Sequence, residues 1–232
     1  MMQKVEILKN IEAAGVIAVV RGKSPKQALQ TSVAAIKGGI KGIELTFTVP
    51  NANQVIAKLS EEYANTAVTI GAGTVLDEAT ARLALMAGAK FIVSPTFNAQ
   101  VAILCNLYEI PYIPGCMSVT EMQTAMQYGS TLVKMFPGNL LTPKMIQDVK
   151  APFPQISIMP SGGVNLTNLQ QWFEAGATVV GAGGNLVGPG DHDDFEQVTE
   201  NAQHYATEYR RINNLLTHSA HIATGKNPLP LA

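Results

Sequence analysis

Eight short, almost continuously apolar runs recur along the chain, separated by longer stretches with helical spacing, and this alternation restricts the fold more than any other feature. The runs are Val16–Val20, Gly42–Thr46, 67–70, 90–94, 111–114, 131–135, 156–160 and 178–181. A strand wet on one face alternates apolar and polar residues, whereas these runs predict parallel strands covered on both faces. The stretches between them start and stop like helices. Ser24-Pro25 and Thr142-Pro143 each place a cap before a proline at the first helical position. Ser118-Val119-Thr120-Glu121 has capping-box spacing, and Gly38-Gly39, Gly88, Gly129 and Gly176 stand just before the next strand. The junctions Lys37-Gly38-Gly39-Ile40, Met86-Ala87-Gly88-Ala89 and Glu174-Ala175-Gly176-Ala177 resemble one another, as expected of one βα unit used repeatedly.

Eight βα units in 232 residues predict a (β/α)8 barrel in a single domain spanning 1–213. An open doubly wound sheet shares the alternation and is the structural competitor. Residues 214–232 read as a C-terminal extension of loosely packed chain, carrying His218 and His221 without obvious partners. A 47% hydrophobic content supplies a sizeable core, and a formal net charge of -1 gives no global field for nucleic acid or an anionic membrane. Cys105 and Cys116 are the only cysteines, too few for a disulfide framework and without metal-type spacing. No apolar run approaches the ~20 residues of a membrane span, and the N-terminus mixes both charges instead of forming a secretory h-region. The expectation is a soluble, cytoplasmic protein.

Charge inside a strand buried on both faces is costly, so the charged residues found there are informative. Arg21 ends the first run, Glu44 lies within the second, and Lys134 lies within the sixth. Each stands where its neighbours predict exclusion of water, and catalytic groups of parallel barrels project from these C-terminal strand ends. The competing reading is an ion-pair network that merely closes the barrel. Elimination favours chemistry: all four histidines follow the last run, Asp77, Glu78 and Glu121 open helices, and no nucleophile elbow, zinc-protease or Walker motif occurs. A lysine in a dry pocket is an amine nucleophile toward ketones, provided that its surroundings favour the neutral form. Burial and a nearby guanidinium both act in that direction. Arg21 is then placed to hold a substrate carboxylate, and Glu44 to carry protons. Two glycine turns, Pro160-Ser161-Gly162-Gly163-Val164 and Gly181-Ala182-Gly183-Gly184-Asn185, end the seventh and eighth runs, where barrels often bind phosphate through backbone N–H groups. Gly71-Ala72-Gly73-Thr74 reads as a tight turn that presents Thr74 to the substrate. Cys116, Trp172 and Phe173 read as packing residues.

These motifs together resemble the aldolases that act on 2-keto-3-deoxy-6-phosphogluconate (KDPG) and 4-hydroxy-2-oxoglutarate (KHG). The matching stretches are Val19-Val20-Arg21, Ile43-Glu44-Leu45-Thr46-Phe47-Thr48, Gly71-Ala72-Gly73-Thr74-Val75, Val93-Ser94-Pro95, Ile113-Pro114-Gly115, Lys134-Met135-Phe136-Pro137-Gly138 and Pro160-Ser161-Gly162-Gly163-Val164. The resemblance implies a class I aldolase that works without metal or cofactor, a homotrimer, and the products pyruvate and an aldehyde, glyceraldehyde 3-phosphate in the leading reading. It implies Lys134 as the Schiff-base lysine, Glu44 as the proton carrier, and Arg21, Thr74, Pro95, Phe136 and Ser161 as substrate contacts. Gly162, Gly163, Gly183, Gly184 and Asn185 would form the phosphate cradle. Some members place an arginine at the position of Thr48 instead of the one at Arg21. Ser161 stands where threonine is usual and Asn185 where serine is common, which opens the substrate choice to the galactonate epimer of the phosphorylated acid or to KHG. A phosphosugar isomerase or phosphate synthase, and a phosphosugar-binding barrel without catalysis, are the remaining alternatives.

Overall fold

The computed structural model describes residues 2–224, with side chains through 218. Helix α1 (Gln3–Ala14) leads into β1 (Val16–Val20), and helices then alternate with strands. The order continues as α2 (Pro25–Lys37), β2 (Gly42–Thr46), α3 (Ala52–Glu62), β3 (Thr69–Gly73), α4 (Glu78–Met86), β4 (Ile92–Val93) and α5 (Ala99–Leu107). Next come β5 (Tyr112–Ile113), β6 (Gly115–Cys116), α6 (Val119–Gln127), β7 (Leu132–Met135), α7 (Pro143–Lys150) and β8 (Ser157–Pro160). The chain finishes with α8 (Leu169–Glu174), β9 (Val180–Ala182), the short α9 (Gly184–Val187) and α10 (Phe195–Thr224). All named pairings are parallel, in the orders β5-β4-β3-β2-β1-β9 and β6-β7-β8. The result is an α/β fold around a curled parallel sheet. Every residue of β1, β2 and β3 is buried, as expected of strands covered on both faces.

The helix starts follow from local chemistry. Ser24 Oγ accepts from the N–H of Gln27 at 3.2 Å. Ser118 and Glu121 form a reciprocal capping box. Thr142, by contrast, makes no side-chain cap bond, and Pro143 alone marks the start of α7. Gly39, Gly88, Gly129 and Gly176 adopt φ of 101°, 95°, 86° and 100°, the left-handed turn that returns the chain to the next strand. Trp172 and Phe173 lie in the core.

Several expected boundaries are corrected. The third strand runs over Thr69–Gly73, not 67–70, so Gly71 and Gly73 are strand residues and the turn comes at Thr74, with φ of 55°. The run at 111–114 is strand only over Tyr112–Ile113, and a second short strand follows at Gly115–Cys116, because Pro114 between them has no N–H to continue a ladder. Its carbonyl instead accepts from the N–H of Lys134 at 2.8 Å. The runs at 90–94 and 178–181 form regular strand only over Ile92–Val93 and Val180–Ala182. The loose extension expected from residue 214 is helical through Thr224 as part of the 30-residue α10. Residues 225–232 lie outside the described residues, as does the side chain of His221. Among the described residues no helix is long and apolar enough to cross a membrane.

Candidate active site

Glu44 sits on β2, opposite Val19 of β1 and Gly71 of β3. Lys134 sits on β7, between Gly115 of β6 and Met159 of β8. The two strands are distant in sequence, yet Lys134 Nζ lies 3.5 Å from Glu44 Oε1, with side chains 7% and 1% exposed. Among the described residues, neither carboxylate oxygen of Glu44 has a hydrogen-bond partner. A buried carboxylate in that state is ready to accept protons or hydroxyl groups from a bound molecule, because leaving it unpaired is unfavourable. Lys134 Nζ also stands 5.1 Å from the centre of the Phe136 ring, and Phe136 precedes a cis peptide bond to Pro137.

Arg21 differs from expectation. It follows β1 directly and therefore sits at the same strand end, but its side chain is exposed, not excluded from water. Among the described residues no ion pair joins it to Glu44, so the closed three-charge network does not form. Its strand end is nevertheless held firmly. Thr46 Oγ1 donates to the carbonyl of Val20 at 3.0 Å, which leaves Thr48 as donor in its 2.7 Å bond to Thr46.

Ser161 continues β8, is buried, and bridges to Gly181 of β9. Gly181 has no room for a side chain, since a Cβ there would lie 2.8 Å from Ser161 Oγ. Thr74 and Pro95 are half-buried at the ends of β3 and β4. Gly162 and Gly163 have φ of 97° and 75°, while Gly183 and Gly184 begin the single turn of α9. The side-chain amide of Asn185 donates to the carbonyl of Val164 at 3.0 Å. Glycine 73 was read from sequence only as part of a turn. In the structure a Cβ on it would fall 2.5 Å from Glu44 Cγ and 2.7 Å from Glu44 Cδ. The available signal was the pair of glycines at alternate positions of one strand.

An amine beside a carboxylate at a poorly hydrated strand end can add to a ketone and move the protons that the addition requires. Comparison with known proteins decides the family. The model for "Aldolase: KDPG and KHG aldolase" matches residues 7–201.

The chain belongs to the KDPG and KHG aldolase family.

It is therefore an aldolase, a carbon–carbon lyase. A 2-dehydro-3-deoxy-phosphogluconate aldolase of Treponema pallidum (strain Nichols) is 36% identical over 203 residues, covering 86% of this chain and 95% of the relative. A 2-dehydro-3-deoxy-6-phosphogalactonate aldolase of Escherichia coli (strain K12) is 32% identical over 195 residues, covering 84% and 94%. Among solved structures, the KDPG aldolase from Legionella pneumophila with pyruvate captured at low pH as a covalent carbinolamine intermediate superposes with a TM-score of 0.75. It is 28% identical and covers 83% of this aldolase and 95% of its own chain.

Proposed function

We propose that this aldolase reversibly cleaves 2-keto-3-deoxy-6-phosphogluconate to pyruvate and glyceraldehyde 3-phosphate through an imine on Lys134. The observation that carries the reading is the 3.5 Å approach of Lys134 Nζ to a buried Glu44 carboxylate whose oxygens are otherwise unbonded. Glu44 takes a proton from Lys134, and the neutral amine adds to the C2 carbonyl to give a carbinolamine. Glu44 delivers the proton with which water departs, leaving a protonated imine. The C4 hydroxyl then gives up its proton to Glu44 through water, the C3–C4 bond breaks, and its electron pair passes into the imine to form an enamine. Release of the aldehyde is followed by protonation at C3 and hydrolysis, which returns pyruvate and the free lysine. Arg21, Ser161 and Thr74 contact the keto acid in this reading, with Pro95 and Phe136 as apolar walls. The phosphate lies on the backbone N–H groups of Gly162, Gly163, Gly183, Gly184 and Asn185. The exposure of Arg21 suits a group that meets an anion arriving from water.

The strands close as a (β/α)8 barrel in the same proposal. Support comes from the Thr178 N–H to Ile158 carbonyl bond at 2.9 Å, the Ser161–Gly181 bridge, and the continuity of β5 into β6 through Pro114. The enzyme is a homotrimer of the cytoplasm, and its two free, buried cysteines suit a reducing compartment.

Incubation with pyruvate and borohydride, followed by peptide mapping, should leave a reduced adduct on Lys134. An absent label, or one on another residue, refutes the imine. A panel of the phosphogluconate, phosphogalactonate and unphosphorylated 4-hydroxy-2-oxoglutarate substrates, read by coupled pyruvate detection, ranks kcat/KM. The galactonate epimer is the second reading, favoured by the E. coli relative that this chain matches over 94% of its length.

A further inference from the structure

The proposed catalytic pair occupies a space that a neighbouring strand leaves bare. β3 carries glycine at 71 and 73, alternate positions that face one side of the sheet. A Cβ on Gly71 would overlap the ring of Phe91, which is fully buried. A Cβ on Gly73 would overlap the carboxyl end of Glu44, with Cγ at 2.5 Å and Cδ at 2.7 Å. The Glu44 side chain is almost wholly enclosed, so it cannot swing outward without displacing packed neighbours. Neither glycine has a left-handed φ, so the backbone itself accepts any residue. Within a strand interior glycine is less favourable than alanine, because it loses more freedom on folding. The backbone therefore supplies no reason for glycine at 73, and the carboxylate supplies one.

We propose that Gly73 is a positioning residue of the aldolase reaction: its missing side chain is the space in which the Glu44 carboxylate reaches Lys134. The proposal rests on the reading of Glu44 as proton carrier. A methyl group at 73 displaces the carboxylate from the amine while leaving Arg21 and the glycine turns untouched. Proton transfer suffers, and substrate binding does not.

The test combines Gly73→Ala, Glu44→Gln, Glu44→Ala and the double variant G73A/E44A, with steady-state kinetics, pyruvate–borohydride trapping and thermal unfolding. Gly73→Ala should lower kcat ~100-fold, the scale of a misplaced proton-transfer group, with KM held within about threefold. Trapping should slow by a similar factor. Thermal unfolding supplies a readout separate from turnover. Gly73→Ala should lower the midpoint in the wild-type background and leave it unchanged, or raise it, beside Glu44→Ala. If Gly73→Ala does not fold, G73A/E44A must fold, and failure of both overturns the proposal. An equal loss of midpoint in both backgrounds also overturns it. A slow Glu44→Gln beside a fully active Gly73→Ala refutes the role of Gly73 alone. A fully active Glu44→Gln refutes the role of Glu44 and this proposal with it.

Discussion

The side-chain amide of Asn185 donates to the carbonyl oxygen of Val164 at 3.0 Å and fastens the turn after β9 to the turn after β8. Tyr205 Oη donates to the same carbonyl at 3.3 Å, so Val164 is held from two sides. In the proposed phosphate cradle, Asn185 thus sets the spacing of two sets of backbone N–H groups and does not touch the anion with its side chain. Asn185→Ala should raise KM for the phosphorylated substrate about 3- to 10-fold, the worth of one hydrogen bond, with kcat little changed. KM for unphosphorylated 4-hydroxy-2-oxoglutarate should stay constant. Steady-state kinetics on both substrates check the contrast.

The two thiols should be silent in the folded enzyme. Burial pushes both Cys105 and Cys116 up to about 12. Cys116 is fully enclosed, with its sulfur 3.7 Å from the carbonyl of Pro114, and it pairs with Met135 across the β6–β7 ladder, one residue beyond the Gly115–Lys134 pair. A thiol reagent needs the thiolate, which is scarce so far below the titration point. At pH 8 the native protein should show negligible reaction with a disulfide reagent, and full reaction at both cysteines after unfolding in guanidinium. Cys116→Ala should leave kcat/KM unchanged. Rapid labelling of Cys116 in the native state would contradict the packing described.

The proposed catalytic pair stood out because charge inside an apolar run is unfavourable enough to be rare, and Glu44 and Lys134 have apolar neighbours on both sides within theirs, whereas Lys90 only opens its run. Their strands were readable from the apolar runs themselves, with β2 found at the expected boundaries and β7 beginning one residue late, at Leu132. What escaped was set by contacts between distant segments. Gly71 and Gly73 look like turn residues to any local rule, yet they are strand residues kept bare for Phe91 and Glu44. Pro114 interrupts a run that is otherwise strand-like. Asn213-Asn214 resembles a helix stop, but Ile212 is buried and Leu216 packs against the core, and that packing carries α10 onward. The exposure of Arg21 depends on where the chain turns after β1, which the apolar pattern ahead of it does not encode.

Acid should weaken the fold partly through its helix caps. Backbone N–H groups of Met117 and Ser118 hold the Glu121 carboxyl below the usual range, and the Thr80 backbone and hydroxyl do the same for Asp77. A carboxyl whose folded value is depressed contributes stability that is present above its unfolded value, and this contribution is lost as pH falls through the folded one. The window therefore opens near the ordinary values of 4.5 for Glu121 and 3.8 for Asp77 and extends below them. Urea midpoints should decline through that window, and Glu121→Gln, which cannot titrate, should flatten the decline. Ser118→Ala removes the other half of the box and should lower stability by about 1 kcal/mol at neutral pH.

The proposed homotrimer has a candidate face on α4 and α5. Met86 and Leu107 are 70% and 74% exposed, and Leu83 and Ile103 are also exposed on these helices. Single exposed apolar residues are ordinary, but a cluster across neighbouring helices marks a surface that a partner covers. A three-fold ring needs each copy to offer one patch to the next, and a charge placed in the patch is then buried without a partner at every interface. Met86→Glu combined with Leu107→Glu should shift the protein from trimer to monomer in light scattering coupled to size exclusion. The far-ultraviolet circular dichroism of the double variant should match that of the wild type. If the double variant keeps the trimer mass, the face lies elsewhere. If the wild type itself elutes as a monomer at micromolar concentration, the trimer is refuted and these exposed residues need another explanation.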